Sequence, residues 1–190
     1  MASADRSLAD LLESVAERTP APGGGTSAAW ACALAASLVE MAAAFASPPR
    51  PEVCERAATL RARALELAEE DLGAYAGVLE ALKLPRTDPE RAGRRDAALS
   101  AAADSPLAIA GAATEVAVIA AQLAETGNPH LNGDAVVGAL LAESAARAAV
   151  RLLELNLADQ AQDDPRREAA GDLAGRAAVA RARALGEPPR

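Results

Sequence analysis

Aromatic side chains make up only 2% of this 190-residue chain, so large flat rings cannot be what holds its core together. Small apolar residues, chiefly alanine, dominate instead. Each fills little volume, so stability must come from many close helix contacts or from a partner subunit. Cysteine is equally scarce. Cys32 and Cys54 both fall on apolar helical stretches and read as buried thiols. With no secretory leader in front of them, they point to a cytoplasmic protein. Positive charge is in deficit, and a formal charge of −8 argues against a general nucleic-acid surface. One histidine and two distant cysteines do not form a recognisable metal-ligand set, so no metal is expected. The longest apolar stretch, Ala28 to Val39, contains Ser37 and runs into Glu40, which is too short for a membrane span. Strand-like alternation and internal repeats are missing as well.

Helix punctuation, by contrast, recurs along the whole length. Ser7 precedes Leu8, Leu11, Leu12 and Val15, a one-face spacing for a helix ending near Arg18. A second helix is expected from about Ser27 to Ala46, stopped by Ser47-Pro48-Pro49. A third spans roughly Glu52 to Leu82. Asp88-Pro89 and Ser105-Pro106 each place a capping residue before a proline and open the fourth and fifth helices. Gly127 closes the fifth as a left-handed cap. The sixth covers about Asp134 to Ala158, and Asp164-Pro165 starts a seventh that ends near Leu185. The pattern predicts one all-α domain over residues 1–190, an up-and-down bundle of about seven helices, with a frayed tail at 186–190.

Two segments rich in glycine, proline and asparagine interrupt this pattern. They are Pro20-Ala21-Pro22-Gly23-Gly24-Gly25-Thr26-Ser27 and Gly127-Asn128-Pro129-His130-Leu131-Asn132-Gly133-Asp134. Each precedes a long apolar run that reads as a helix, and a helix start offers unpaired N–H groups to a polar or anionic ligand. Long loops with ordinary N-caps would look the same. The triple glycine is no phosphate-binding loop, since it lacks the lysine and a preceding strand.

Three titratable residues stand out. On the third helix Leu60, Ala64, Leu67, Ala74, Val78 and Leu82 form an apolar stripe, and Asp71 falls on it with Tyr75 one turn later. A carboxylate on an apolar face is costly unless partnered, which makes Asp71 either a rim residue paired with an arginine or a functional group. Asp134 is a helix-start cap or a member of a polar cluster with Asn128, His130 and Asn132. His130, the sole histidine, is either a bystander or a proton carrier.

The Pro20–Ala29 segment, with the small-residue helix that follows to Met41, resembles the cyclodeaminase/cyclohydrolase family of folate enzymes. That family comprises the cyclodeaminase domain of formiminotransferase-cyclodeaminase and stand-alone methenyltetrahydrofolate cyclohydrolases. The resemblance continues at Asp71 through Tyr75 to Lys83-Leu84-Pro85-Arg86, where the family usually has Leu-Pro-Lys. It extends through Pro106-Leu107, Gly127-Asn128 and Asp134-Ala135 to Leu155-Asn156-Leu157. Departures fall at His130, where the family has Asn, at Gly133 in place of Ser, at Leu152 in place of Asn, and at Arg86.

The resemblance implies chemistry at the carbon bridging N5 and N10 of tetrahydrofolate, as a formimidoyltetrahydrofolate cyclodeaminase or a methenyltetrahydrofolate cyclohydrolase. It implies no cofactor beyond the folate substrate, whose tail can carry several glutamates. It assigns Asp134 to proton transfer or cation stabilisation, Asp71 as the second carboxylate and His130 as an assistant. Gly23, Gly24, Gly25, Thr26, Ser27, Tyr75, Asn128 and Asn132 would bind substrate, and Arg86 would pair with the glutamate tail. A homodimer is expected, with the two loops converging across a groove or a subunit interface. The alternatives are a folate-binding or interaction protein that kept the scaffold, or an enzyme of this fold acting on another C–N bonded substrate.

Overall fold

A computed structural model describes residues 6–187, and within them the chain folds into seven α-helices and no β-strand. They are α1 (Leu8–Ala16), α2 (Gly24–Ala44), α3 (Pro51–Lys83), α4 (Arg91–Ala101), α5 (Asp104–Thr126), α6 (Asn132–Asn156) and α7 (Pro165–Ala184), with a 3-10 turn at Pro129–Leu131. Only Ala102 and Ala103 separate α4 from α5, and both keep right-handed helical angles, so the pair is also one bent helix and the count six. Of the expected frayed tail, residues 188–190 lie outside the described residues.

Long-range hydrogen bonds give the direction of each helix. At one end of the bundle the start of α2 meets α3, where the Thr26 hydroxyl donates to Asp71. The end of α6 meets the α4–α5 junction through Asn156 and Ala102. The start of α7 meets the start of α5 through Arg166 and Asp104. At the other end Asn128, after α5, donates to the Phe45 carbonyl at the end of α2, and Arg183 near the end of α7 pairs with Glu125 near the end of α5. Helices α2, α5 and α7 therefore run one way and α3 and α6 the other, the up-and-down arrangement the punctuation predicts.

Alanine lets these helices approach closely. The buried core holds 0%-exposed Ala29, Ala36, Ala43, Ala113, Ala120, Ala139 and Ala146, with Leu67, Ile109, Leu153 and Leu157 as its largest members. Gly138 brings α6 so near α2 that a Cβ there would lie 3.5 Å from the Ala35 carbonyl. Cys32 is fully buried, and burial pushes its thiol up to about 12. Cys54 is half-buried; both are free.

Several local expectations need correction. Leu82, placed on the buried stripe of α3, is exposed, because α3 runs past the bundle. Helix α5 starts at Asp104, so Ser105 is not its cap; its hydroxyl is buried without a partner. Gly127 has φ −86°, not a left-handed angle. Glycine suits that position because a Cβ would lie 2.4 Å from the Leu123 carbonyl oxygen. The left-handed cap occurs instead at Gly186, φ +66°. Two helical runs, Gly24–Ala44 and Arg91–Thr126, are long and apolar enough to cross a membrane by length and composition, contrary to the estimate from the apolar run alone. Half of each apolar window is buried inside the bundle.

The Asp164-Pro165 device holds, and it ties α7 to the bundle. Asp164 accepts the Arg166 backbone N–H at 3.0 Å. The Arg166 guanidinium donates to Asp164, to Asp104 and to the Ser100 carbonyl. These hydrogen bonds from Arg166, side chain first and backbone second, hold the Asp164 carboxyl down at about 2. A depressed carboxyl contributes stability that is complete above its unfolded pKa, near 3.8, and lost as pH falls toward 2. Asp164→Ala is therefore expected to lower the melting temperature at neutral pH by a few degrees, losing a cap and its arginine partner. The difference from the parent should vanish as pH falls from about 4 toward 2, and thermal melts across that range check it.

Candidate active site

A glycine start costs a helix little in its first turn, where the N–H groups have no helical acceptor to lose. Helix α2 begins at Gly24, three residues before the expected Ser27, with Gly23 as its N-cap and no side-chain cap. The first N–H to bond back is that of Ser27, to the Gly23 carbonyl at 3.0 Å. The Ser27 hydroxyl donates to that same carbonyl at 2.8 Å, so it serves the helix turn.

Asp71 reaches this helix start from α3. Its Oδ2 accepts the Thr26 hydroxyl at 2.8 Å. A Cβ added at Gly25 would lie 2.2 Å from Asp71 Oδ1 and 2.6 Å from Cγ. The absence of a side chain at Gly25 is what admits the carboxylate. The positive end of α2 favours its charge, and the fully buried Thr26 fixes one of its oxygens. Of the two readings the sequence left open, the rim residue paired with an arginine is not found among the described residues: the hydrogen-bond partner of Asp71 is a threonine.

A cleft of about 250 Å³ opens over this pair. Gly23, Gly24, Gly25, Asp71 and Tyr75 line it, together with Pro20, Leu72, Pro106, Leu152 and Asn156. Leu152 packs on α2 at the point where a Gly24 side chain would begin, 3.5 Å away. Thr26 is not a wall residue; it acts from beneath, through Asp71. The walls are apolar except for Asp71, Tyr75, Asn156 and the glycine backbone, a composition suited to a flat heterocycle held by few polar contacts.

The sequence resemblance includes Asn156 but gives it no role in the site. The signal was Pro106, which has no N–H and leaves the Ala102 carbonyl four residues earlier without its helical donor. Asn156 Nδ2 supplies that donor at 2.9 Å.

The other expected site residues lie elsewhere. Arg86 is exposed in the link between α3 and α4, outside the cleft lining, and has no ion pair among the described residues. Asn128, His130, Asn132 and Asp134 sit at the opposite end of the bundle. Helix α2 has 21 residues, so the two ends are separated by about 30 Å. Asn128 pins its loop there, donating to the Phe45 carbonyl at 3.0 Å and accepting the His130 backbone N–H at 3.0 Å. Asn132 Nδ2 donates to the Ala124 carbonyl at 2.7 Å and closes the end of α5. The His130 side chain is exposed, and Asp134 lies in the first turn of α6. Within one subunit the two glycine-bearing segments do not converge. The residues between them are helix, and a helix holds its ends apart. Among the described residues no three His, Cys, Asp or Glu side chains are placed to hold a metal ion.

Gly25→Ala tests how the carboxylate is held. Alanine is the better helix former, which offsets the loss of about one hydrogen bond when Asp71 swings away. The variant is expected to melt close to the parent yet lose ligand-dependent stabilisation, checked by thermal shift with and without a folate.

Comparison with known proteins bears on the family and the fold. A family model described as formiminotransferase-cyclodeaminase matches residues 7–173. The methenyltetrahydrofolate cyclohydrolase of Methylorubrum extorquens is 31% identical over 165 residues, covering 80% of this chain and 79% of that protein. Mouse formimidoyltransferase-cyclodeaminase is 31% identical over 173 residues, which cover 84% of this chain but only 32% of the mouse protein. The crystal structure of formiminotetrahydrofolate cyclodeaminase from Thermotoga maritima superposes with a TM-score of 0.84 at 26% identity, covering 96% of both chains. The family model spans most of the chain and the cyclohydrolase relative is covered over most of its length, so the chain belongs to the formiminotransferase-cyclodeaminase family.

Proposed function

We propose that this protein is a folate one-carbon enzyme acting at the N5–N10 bridge of tetrahydrofolate, with its chemistry in the cleft at the start of α2. The observation that carries the reading is Asp71, held by Thr26 over Gly25 in a mostly apolar hollow. Both candidate substrates bring a cationic amidinium carbon, and a fixed carboxylate beside it stabilises that charge and moves a proton. In the cyclohydrolase direction water adds to the bridge carbon and gives a proton to Asp71. The C–N5 bond then breaks, N5 takes that proton, the remaining hydroxyl releases its own proton to solvent, and the carbon stays on N10 as a formyl group. In the cyclodeaminase direction N10 attacks the formimino carbon, Asp71 carries the N10 proton to the amino group, and ammonia leaves. One carboxylate serves either route. A cleft of about 250 Å³ suits the bicyclic ring. The glutamate-bearing tail would extend past the end of α3 toward Arg86.

The assignment of Asp134 to proton transfer survives only with a second copy of the chain. Leu34 (56% exposed), Met41 and Phe45 (65% exposed) form an apolar stripe on α2 beside Val137 of α6. Pairing two such faces about a two-fold axis, antiparallel, sets the loop end of one subunit against the cleft end of the other. That homodimer, in the cytoplasm, is part of the proposal.

The test supplies 5-formimino- and 5,10-methenyltetrahydrofolate separately and follows methenyl absorbance. Appearance of the methenyl band from the first, or its loss from the second above the uncatalysed rate, supports the reading. Folded protein that turns over neither rejects it.

A further inference from the structure

The cleft wall holds two polar side chains that the reaction scheme does not use, Tyr75 and Asn156, and only Asn156 has a hydrogen bond that fixes its direction. Asn156 lies there, and its orientation is dictated by a defect in the helix beside it. Pro106 leaves the Ala102 carbonyl without a helical donor, and Asn156 Nδ2 donates to that carbonyl at 2.9 Å. A carbonyl only accepts, so the amide cannot present its other face to Ala102 without opposing two oxygens. Its Oδ1 accepts from no described residue, and it is not among the buried polar atoms left unpartnered. The wall therefore carries an uncharged acceptor of fixed direction, distinct from Asp71, whose Oδ2 is committed to Thr26.

We propose that Asn156 is a specificity-determining residue whose Oδ1 accepts a hydrogen bond from the ring amide N–H edge of an aminopyrimidinone heterocycle. This rests on the folate reading above and adds how the ring is chosen. A neutral acceptor takes a neutral N–H without drawing a proton off the ring or favouring a cation there. A site built to accept such a bond rejects the alkylated ring strongly, because the acceptor is then left buried and unpaired.

The experiment compares tetrahydrofolate with its counterpart methylated on the ring amide nitrogen, by calorimetry on the unmodified protein. The methylated ring is expected to bind about ten- to a hundredfold more weakly. Asn156→Leu should bind the two alike, with KM raised about tenfold and kcat changed far less, and Asn156→Gln should recover part of the preference. Equal binding of both rings by the unmodified protein overturns the proposal, as does Asn156→Leu with unchanged KM and undiminished preference. If the leucine variant fails to fold, the two-ligand comparison on the unmodified protein decides alone. Discriminating binding without turnover of either folate would defeat the enzyme reading and leave this one standing. Turnover without discrimination would do the reverse.

Discussion

Asp71→Asn is expected to fold normally and to lose about a hundred- to ten-thousandfold in kcat on whichever bridge-carbon folate the parent prefers. The substitution is nearly isosteric and keeps an oxygen for the Thr26 hydroxyl, so the 2.8 Å hydrogen bond has a successor. What disappears is the negative charge opposite the amidinium carbon and the only carboxylate among the cleft lining. Removing a charge that faces the first turn of α2 costs about 0.3–1 kcal/mol of helix-dipole stabilisation, too little to unfold the bundle. Turnover kinetics with a matched melting curve separate the two effects. A variant with parental kcat would take the reaction away from this end of the molecule.

Mixing subunits tests the second half of the site. If Asp134 reaches the cleft from a neighbouring copy, Asp71→Asn and Asp134→Asn should each be nearly inactive alone. Refolded together in equal amounts they should recover about a quarter of parental activity. Half the dimers are then mixed, and one of the two sites in each carries both native carboxylates. No recovery above the sum of the two variants, or an Asp134→Asn variant that is fully active alone, would reduce Asp134 to a helix-dipole residue at the start of α6. Sedimentation of the mixture shows whether dimers are present at all.

The sequence made the helices legible because proline, glycine and capping residues mark helix ends by local chemistry. Ser7 and Asp164 cap as expected, with the Ser7 hydroxyl accepting the Asp10 N–H and Asp164 accepting that of Arg166. Asp71 was legible too, since a charge on an apolar stripe is out of place wherever the helix packs. The start of α2 was misplaced because glycine argues for a loop by propensity. Gly25 serves the carboxylate across from it, a tertiary reason that no local pattern contains. Ser105-Pro106 misled for a related reason. Its proline bends a helix that has already begun, and the consequence appears fifty residues later at Asn156. The expected meeting of the two loops failed inside one subunit because sequence similarity orders motifs along the chain and says nothing of which copy supplies them. The 21 residues of α2 supply that distance.

Helix α2 thus acts as a ruler. It begins under the carboxylate and ends where Asn128 grips it, so its length sets the interval between the two polar ends of the subunit. In an antiparallel pair that interval is also the offset between one copy's hollow and the other's loop. A residue inserted mid-helix would turn one end by about 100° relative to the other and lengthen the span by about 1.5 Å. If the chain pairs as proposed, the insertion would throw both composite sites out of register at once, whereas the link at 84–90, beyond the ruler, can change length with no such penalty.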